Sequence, residues 1–551
     1  MTPAVLAVER TAIKPNPRRT RAGAPGRRSS RAAERLPEVT SEAETSLQRG
    51  ELILRAVTVV DGTGAPAYGP ADVVITGGRI SKIQVVGSRP PGDSSTEERP
   101  TLTGPGTEMR LDGHYLLPGI VDCHAHIGPV GKVPSTQYVY NLWLSHGITA
   151  VRELGCVGRG LQLVRDEAGR SDSGDLIAPA IVPYALFGEG NTDPPLDSRG
   201  AGRWLETIAR EGASGVKFFG YQPEVYRDAL SEARRLGLRT ACHHRQRHVR
   251  GANALESARW GLSSIEHGYG LPEALAIAGA GLRPSLDYND QDEAARFSEA
   301  ANPWLAVAPP DSPQWREVIA ELVSLGVTLD PTFNVYDGLR DAARVRNAEW
   351  HAEYTAPQLW QFFQPSRDHH GSCFFDWTTD SEVRWKHAFA TWMNFVADFH
   401  ASGGRVTLGT DAGFLYKIYG FAAVEEMELL QEAGLHPLEV IRAATLAGAE
   451  LLGMAGEIGS VQVGKRADLL VVEENPLVNL KVLYGHGRFR LGPRGLPEHA
   501  GGVKMVIRGG TPYSGADLGA AVREEVAEEW EKSQAGSPAA VMRPPRAVGS
   551  N

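Results

Sequence analysis

Cysteine is scarce in this sequence: Cys123, Cys156, Cys242 and Cys373 are the only four in 551 residues, and no two form a CxxC pair. Neither a disulfide framework nor a cysteine zinc site can organise such a chain. Long apolar runs are missing as well. No stretch approaches the roughly 18 uninterrupted apolar residues of a membrane-spanning helix. The opening segment has no apolar run between a basic start and a small-residue cleavage site, as an export signal would require. The expectation is a soluble, cytoplasmic protein with no membrane partner. Composition has no extreme either: 42% hydrophobic residues, 22% charged, 62 Gly and 36 Pro exclude collagen-like, fibrous and wholly disordered classes. A chain of this length has room for one large barrel and a smaller module.

Charge is uneven. Residues 1–36 hold nine Lys/Arg and two acids, which leaves about −16 for the rest of the chain and argues against a nucleic-acid partner. The run PNPRRTRAGAPGRRSSRAAER has too little apolar content to offset the entropy of ordering it, so residues 1–48 are expected to be a disordered basic tail. Order begins near residue 49. ELILRAVTVVDGTG and ADVVITGGRISKIQVVG carry the Val/Ile texture of short strands, and the same texture returns in GEIGSVQVGKRADLLVVEENP and GGVKMVIRGGTPY. Beyond these, Leu518, Val522, Val526 and Trp530 recur at helical spacing.

Between the strand-rich ends, over 116–450, buried-strand patterns alternate with helical ones: GIVDCHAH, ITAVREL, IAPAIVPYAL, GVKFFG, LRTACHH, SSIEHG, VTLDPTF and RVTLGTDAG. Eight such strands predict an α/β fold of the (β/α)8 TIM barrel type. In that fold, chemistry comes from the C-terminal ends of strands, where this sequence puts its unusual residues. His124 and His126 end the first strand on one face. By itself the pair means little, since 16 His in 551 positions give about half an HxH by chance. Recurrence carries the argument: Lys217, His243, His267 and Asp411 stand at the ends of four further strands, where buried strands otherwise read as Val, Ile and Ala. Neutral imidazoles with a carboxylate suit Zn, Mn, Co or Fe(II).

With VVDGTG, LLPGIVDCHAH, GITAVRELG, GTDAG, HPLEVIRAAT and GSVQVGKRADLLVV alongside them, these residues make the chain resemble the amidohydrolase superfamily over about 50–515. Within it, the sequence is most similar to the group of Xaa-Pro dipeptidases and aryl-amide and carbamate hydrolases. The resemblance implies that segments 49–115 and 451–515 meet as one small β-sandwich. It also implies a metal-dependent hydrolase of an amide-type C–N bond with two divalent ions, zinc first. His124, His126 and Asp411 would hold one ion and His243 and His267 the other, with Lys217 as a carboxylated bridge. A hydroxide shared by the ions would attack, and Asp411 would move the proton. The deaminase branch typically carries a catalytic Glu at the position of Gln246.

Alternatives stay open at this level. A lactone, carbamate or ester hydrolase of the same superfamily would use the same residues, and a barrel kept as an interaction protein would be expected to have lost some of them. The partner expected is a small-molecule substrate, with self-association into a homo-oligomer left open. Cys123 and Cys242 neighbour proposed ligands, so strand alternation turns their sulfurs into the core. His244 is a minor candidate for binding substrate. Residues 344–400 hold 13 of the 41 aromatics. Of these, Trp385, Phe389, Trp392 and Phe395 fall on one helix face and read as core. Phe374, Phe375 and Trp377 read either as an apolar lid over the barrel mouth or as simple packing.

Overall fold

The computed structural model describes residues 50–86, 99–128, 132–189, 195–277, 289, 292–366 and 371–535. The basic tail predicted over 1–48 and the last residues beyond the C-terminal helix lie outside them. All eight predicted central strands form one parallel sheet in chain order: Ile120–Ala125, Ile148–Gly155, Ala180–Leu186, Gly215–Phe218, Arg239–His243, Ser264–Glu266, Thr328–Asp330 and Arg405–Val406. Helices intervene between successive strands, and the sheet curls. Past the last strand, Leu408 O accepts from Cys123 N at 2.8 Å, and Asp411 N donates to His124 O at 2.7 Å. Chain ends of the eighth strand and of the first thus lie side by side. Their side chains are buried on both faces, which explains their continuous apolar texture.

The strand-rich termini meet in a second sheet of eight strands. Its order runs Thr511–Ser514, Val503–Arg508, Leu469–Val472, Tyr115–Pro118, Glu51–Val59, Tyr68–Thr76 and Arg79–Val85, with Gly106–Arg110 also paired to Glu51–Val59. Leu469–Val472 runs antiparallel to Tyr115–Pro118, in the register Leu469↔Pro118. Leu52, Leu54, Val73, Ile80, Leu469, Met505 and their neighbours give this sheet its own apolar core. Only Gly119 separates Tyr115–Pro118 from the first strand of the parallel sheet, so the terminal sheet anchors the strand that carries His124.

The helical spacing at the C-terminus is realised in Gly515–Ala535, where Val522, Val526 and Trp530 are buried. Trp385, Phe389, Trp392 and Phe395 are buried on the helix Thr379–Ala401, as their spacing predicted. A short hairpin, Arg488–Leu491 with Pro497–Ala500, was not foreseen. Among the described residues, no helix is long and apolar enough to cross a membrane.

Candidate metal centre

His124, His126, Lys217, His243, His267 and Asp411 converge on one cavity of about 250 Å³ at the C-terminal ends of the parallel strands. His126 Nε2 lies 3.4 Å from Asp411 Oδ1, His124 Nε2 3.9 Å from the same oxygen, and His267 Nε2 4.0 Å from Asp411 Oδ2. Lys217 Nζ stands 3.4 Å from His124 Nε2. The His243 and His267 rings are 4.6 Å apart. Residues nearly 290 positions apart in sequence thus form one cluster, because each ends or follows a neighbouring parallel strand. His124, His126 and Asp411 offer ligand atoms that all lie within 4.8 Å of one another.

Two backbone positions are strained to achieve this. Asp411 has φ 48° and His267 φ 64°, left-handed values rarely taken by residues with a Cβ. Each costs on the order of 1–3 kcal/mol and persists only where the surroundings dictate it. Here Asp411 N is tied to His124 O, and His267 N to Asp330 O at 2.9 Å.

Beneath the cluster lies a buried charge network that the sequence reading did not single out. His124 Nδ1 donates to Glu266 Oε2 at 2.7 Å, which fixes the tautomer and leaves the Nε2 lone pair facing the cavity. Glu266 is held in turn by Arg152, whose Nη2 donates to both its carboxylate oxygens at 2.9 and 3.0 Å and to Asp330 Oδ2 at 3.2 Å. Arg152 Nη1 donates to Ser264 Oγ at 2.9 Å, and its Nε to Cys123 O. Burial opposes the guanidinium charge, but the Glu266 and Asp330 carboxylates together with Tyr184 and Cys123 outweigh it and the pKa rises. Glu153, on the same strand, accepts from Ile127 N at 2.7 Å behind His126. A signal was available: ITAVREL, SSIEHG and VTLDPTF each carry charge inside a buried strand, and buried charges require partners.

Burial lowers the pKa of His124, His243 and His267 well below the ordinary imidazole value, so these rings are neutral donors. The Lys217 ammonium is likewise disfavoured by burial. Burial works against the Asp411 carboxylate too, but the polar surroundings, with a hydrogen bond from His126 and the nearby His124 and Lys217 side chains, together outweigh it and hold its pKa at about 2. Neutral imidazoles around an ionised carboxylate, with ligand atoms of His124, His126 and Asp411 all within 4.8 Å of one another, fit a divalent cation.

The remaining candidates fall elsewhere. His244 does not line the cavity. It is buried behind the strand end, with Nε2 2.9 Å from Ser257 Oγ, because strand alternation turns it opposite to His243. Phe374, Phe375 and Trp377 do not line it either; Phe374 and Trp377 pack on the core, and Trp377 Nε1 donates to Ala294 O at 3.1 Å. The cavity wall is made instead by Phe219, Phe297, Val335, Tyr336, Phe414 and Leu415, with Lys132, Arg245, Glu293 and Arg296 as further charged groups. Lys132 is buried, its Nζ 3.4 Å from the Phe414 ring centroid and 4.6 Å from that of Phe362. Cys123 and Cys242 are fully buried and free, as alternation predicted.

A family model described as the amidohydrolase family matches residues 384–511. A 52-residue segment, 9% of this chain, is 40% identical to a 5'-deoxyadenosine deaminase of Methanobrevibacter smithii, of which the match covers only 12%. Solved structures with the same fold include a Xaa-Pro dipeptidase with bound methionine in the active site (18% identical, TM-score 0.55, 84% of this chain and 100% of that one). A bottromycin amidohydrolase is 19% identical at TM-score 0.56, over 93% of this chain and 98% of that one. The family match spans the eighth strand and the C-terminal part of the terminal sheet, and the fold shared with these solved structures extends over most of the chain.

Proposed function

We propose that this protein is a metal-dependent hydrolase of an amide-type C–N bond in a small molecule such as an N-acyl amino acid or a Xaa-Pro-like dipeptide. The observation that carries the reading is the convergence of six side chains from five strand ends on one cavity. His124, His126 and Asp411 would hold one divalent ion, His243 and His267 a second, and Lys217 would bridge them. Bound divalent ions supply Lewis acidity, which activates water at neutral pH and polarises a scissile carbonyl.

The chain's own residues do the rest. A neutral Lys217 amine adds to carbon dioxide, forming an N–C bond and releasing a proton, and the resulting carbamate carries the negative charge a bridge requires. Asp411 accepts the proton of the attacking water on its carboxylate and returns it to the leaving nitrogen as the C–N bond breaks. The apolar wall excludes bulk water from the reacting bond. Lys132, Arg245 and Arg296 favour a substrate that carries a carboxylate. Gln246, at the position where the deaminase branch has its acid, supports an amide over a deamination substrate.

The scaffold reading is that the parallel sheet over 116–450 is a closed (β/α)8 barrel, supported by the Cys123–Leu408 and His124–Asp411 backbone bonds. Segments 49–115 and 451–515 are read as one sandwich domain, supported by their separate apolar core.

The test is protein reconstituted with zinc, manganese or cobalt and assayed against dipeptides, N-acyl amino acids, aryl amides and lactones. Amide cleavage is expected, with Asp411→Asn retaining much of the metal and losing about 10²–10⁴ in turnover. Full metal loading with no amide turnover, or an active Asp411→Asn, would overturn the reading.

A further inference from the structure

Away from the cavity, three side chains from separate segments meet at the edge of the unforeseen hairpin. His499 lies on its strand Pro497–Ala500, His486 just before its strand Arg488–Leu491, and Glu349 between the short helices Ala342–Arg346 and His351–Tyr354. The two imidazoles stack with centroids 4.6 Å apart and planes 24° apart. Glu349 Oε1 stands 3.5 Å from His499 Nε2 and 3.7 Å from His486 Nε2.

Those distances are too long for hydrogen bonds. They match another geometry. Ligand atoms at zinc bond lengths and a tetrahedral angle lie about 3.3–3.5 Å apart, and the three donors here all fall within 4.8 Å of one another. We propose that Glu349, His486 and His499 form a second site for a divalent transition ion, zinc first, which fastens the hairpin to the segment around Glu349.

An independent observation points the same way. Both ring nitrogens of His486 are buried, and neither finds a hydrogen-bond partner among the described residues. Tyr354, Phe421 and Tyr484 surround its ring with aromatic faces and edges. A buried imidazole left without any bond forfeits the hydrogen bonds it makes in water, a loss that ligation of an ion would offset. His499 and Glu349 are 40% and 39% exposed, so an ion can enter and keep water in a fourth position. Two imidazoles with a carboxylate suit zinc better than magnesium or calcium.

The test uses the full chain with zinc as the probe. Zinc content after dialysis is compared among the wild type, His499→Ala and Glu349→Gln, both at half-exposed positions that leave the core intact. Each variant should hold about one ion per chain fewer than the wild type and lose part of the zinc-dependent rise in melting temperature. Anomalous diffraction at the zinc edge should place a peak between the three side chains, absent in His499→Ala. Asp411→Ala, which weakens the cavity site instead, should leave that peak in place. Equal zinc content in wild type and both variants, or a zinc-saturated crystal with no peak there, would overturn the proposal whatever the cavity holds.

Discussion

A single cation illustrates what residue chemistry adds to the site. Lys132 follows no motif and was not legible in the sequence; what places it in the cavity wall is the pair of rings, Phe414 and Phe362, that flank its ammonium. Burial pulls its pKa down to about 7, with Asp411 opposing the shift. The charged form therefore dominates below pH 7 and is lost as pH rises through that value. Lys132→Met should lower kcat/KM for carboxylate-bearing substrates roughly tenfold at pH 6.5, spare neutral aryl amides, and flatten the loss of anionic-substrate turnover above pH 7. A pH–rate profile for one substrate of each kind checks it. Equal losses for both kinds would make Lys132 a packing residue. By contrast His124, His126, Lys217, His243, His267 and Asp411 were legible, because polar residues at the ends of buried strands contradict the local apolar pattern. Arg152 and Glu266 carried the same contradiction within the strands and could have been read with them.

At the scale of elements, the short helix Glu293–Glu299 explains the aromatic segment. Its Glu293, Arg296 and Phe297 line the cavity, while two tryptophans grip it from behind: Trp377 Nε1 donates to Ala294 O, and Trp385 Nε1 to Phe297 O at 2.8 Å. Trp377 is thus a brace for the wall, between the lid and packing alternatives that the sequence left open. Trp377→Ala should raise KM for small and bulky substrates alike, with a stability loss of about 1–2 kcal/mol because the ring is only partly buried. Trp385→Ala, fully buried, should cost about 3–5 kcal/mol. Denaturant titration beside steady-state kinetics separates the two. Spacing alone identified the face of Thr379–Ala401 as core, since a helix period of 3.6 is a local property. The loop preceding it has no period, so its packing direction could not be read.

For the whole molecule, acid sensitivity follows from buried histidines that do not line the cavity. His351 is buried, with Nδ1 2.9 Å from Thr355 Oγ1 and Nε2 2.8 Å from Val345 O, and burial lowers its pKa from 6.5 to about 4. The folded-state pKa is depressed, so the unfolded chain binds more protons between those values. Stability is complete above pH 6.5 and falls as pH drops toward 4, by about 3 kcal/mol for this residue. His351→Gln should show a shallower fall in unfolding free energy from pH 7 to pH 5 than the wild type, whatever its stability at pH 7. Parallel pH dependences would assign the acid transition to other groups, such as His146, whose pKa burial also lowers to about 4.

The sequence by itself determined the eight central strands, their parallel order and the six residues at their ends. Strand periodicity and buried polarity are written in runs of a few residues, and helices alternating with the strands leave little freedom in how consecutive strands pair. It also determined that the two termini share one texture. Only the tertiary structure decided which strands of those termini pair, as Leu469–Val472 does with Tyr115–Pro118 across some 350 residues. Only the fold decided that Phe219, Phe297 and Phe414 line the cavity while Phe374 and Trp377 stand behind it, and that Glu349, His486 and His499 meet at the hairpin. Those outcomes depend on contacts between segments whose spacing along the chain carries no periodic signal, and such contacts are set by packing the whole molecule at once.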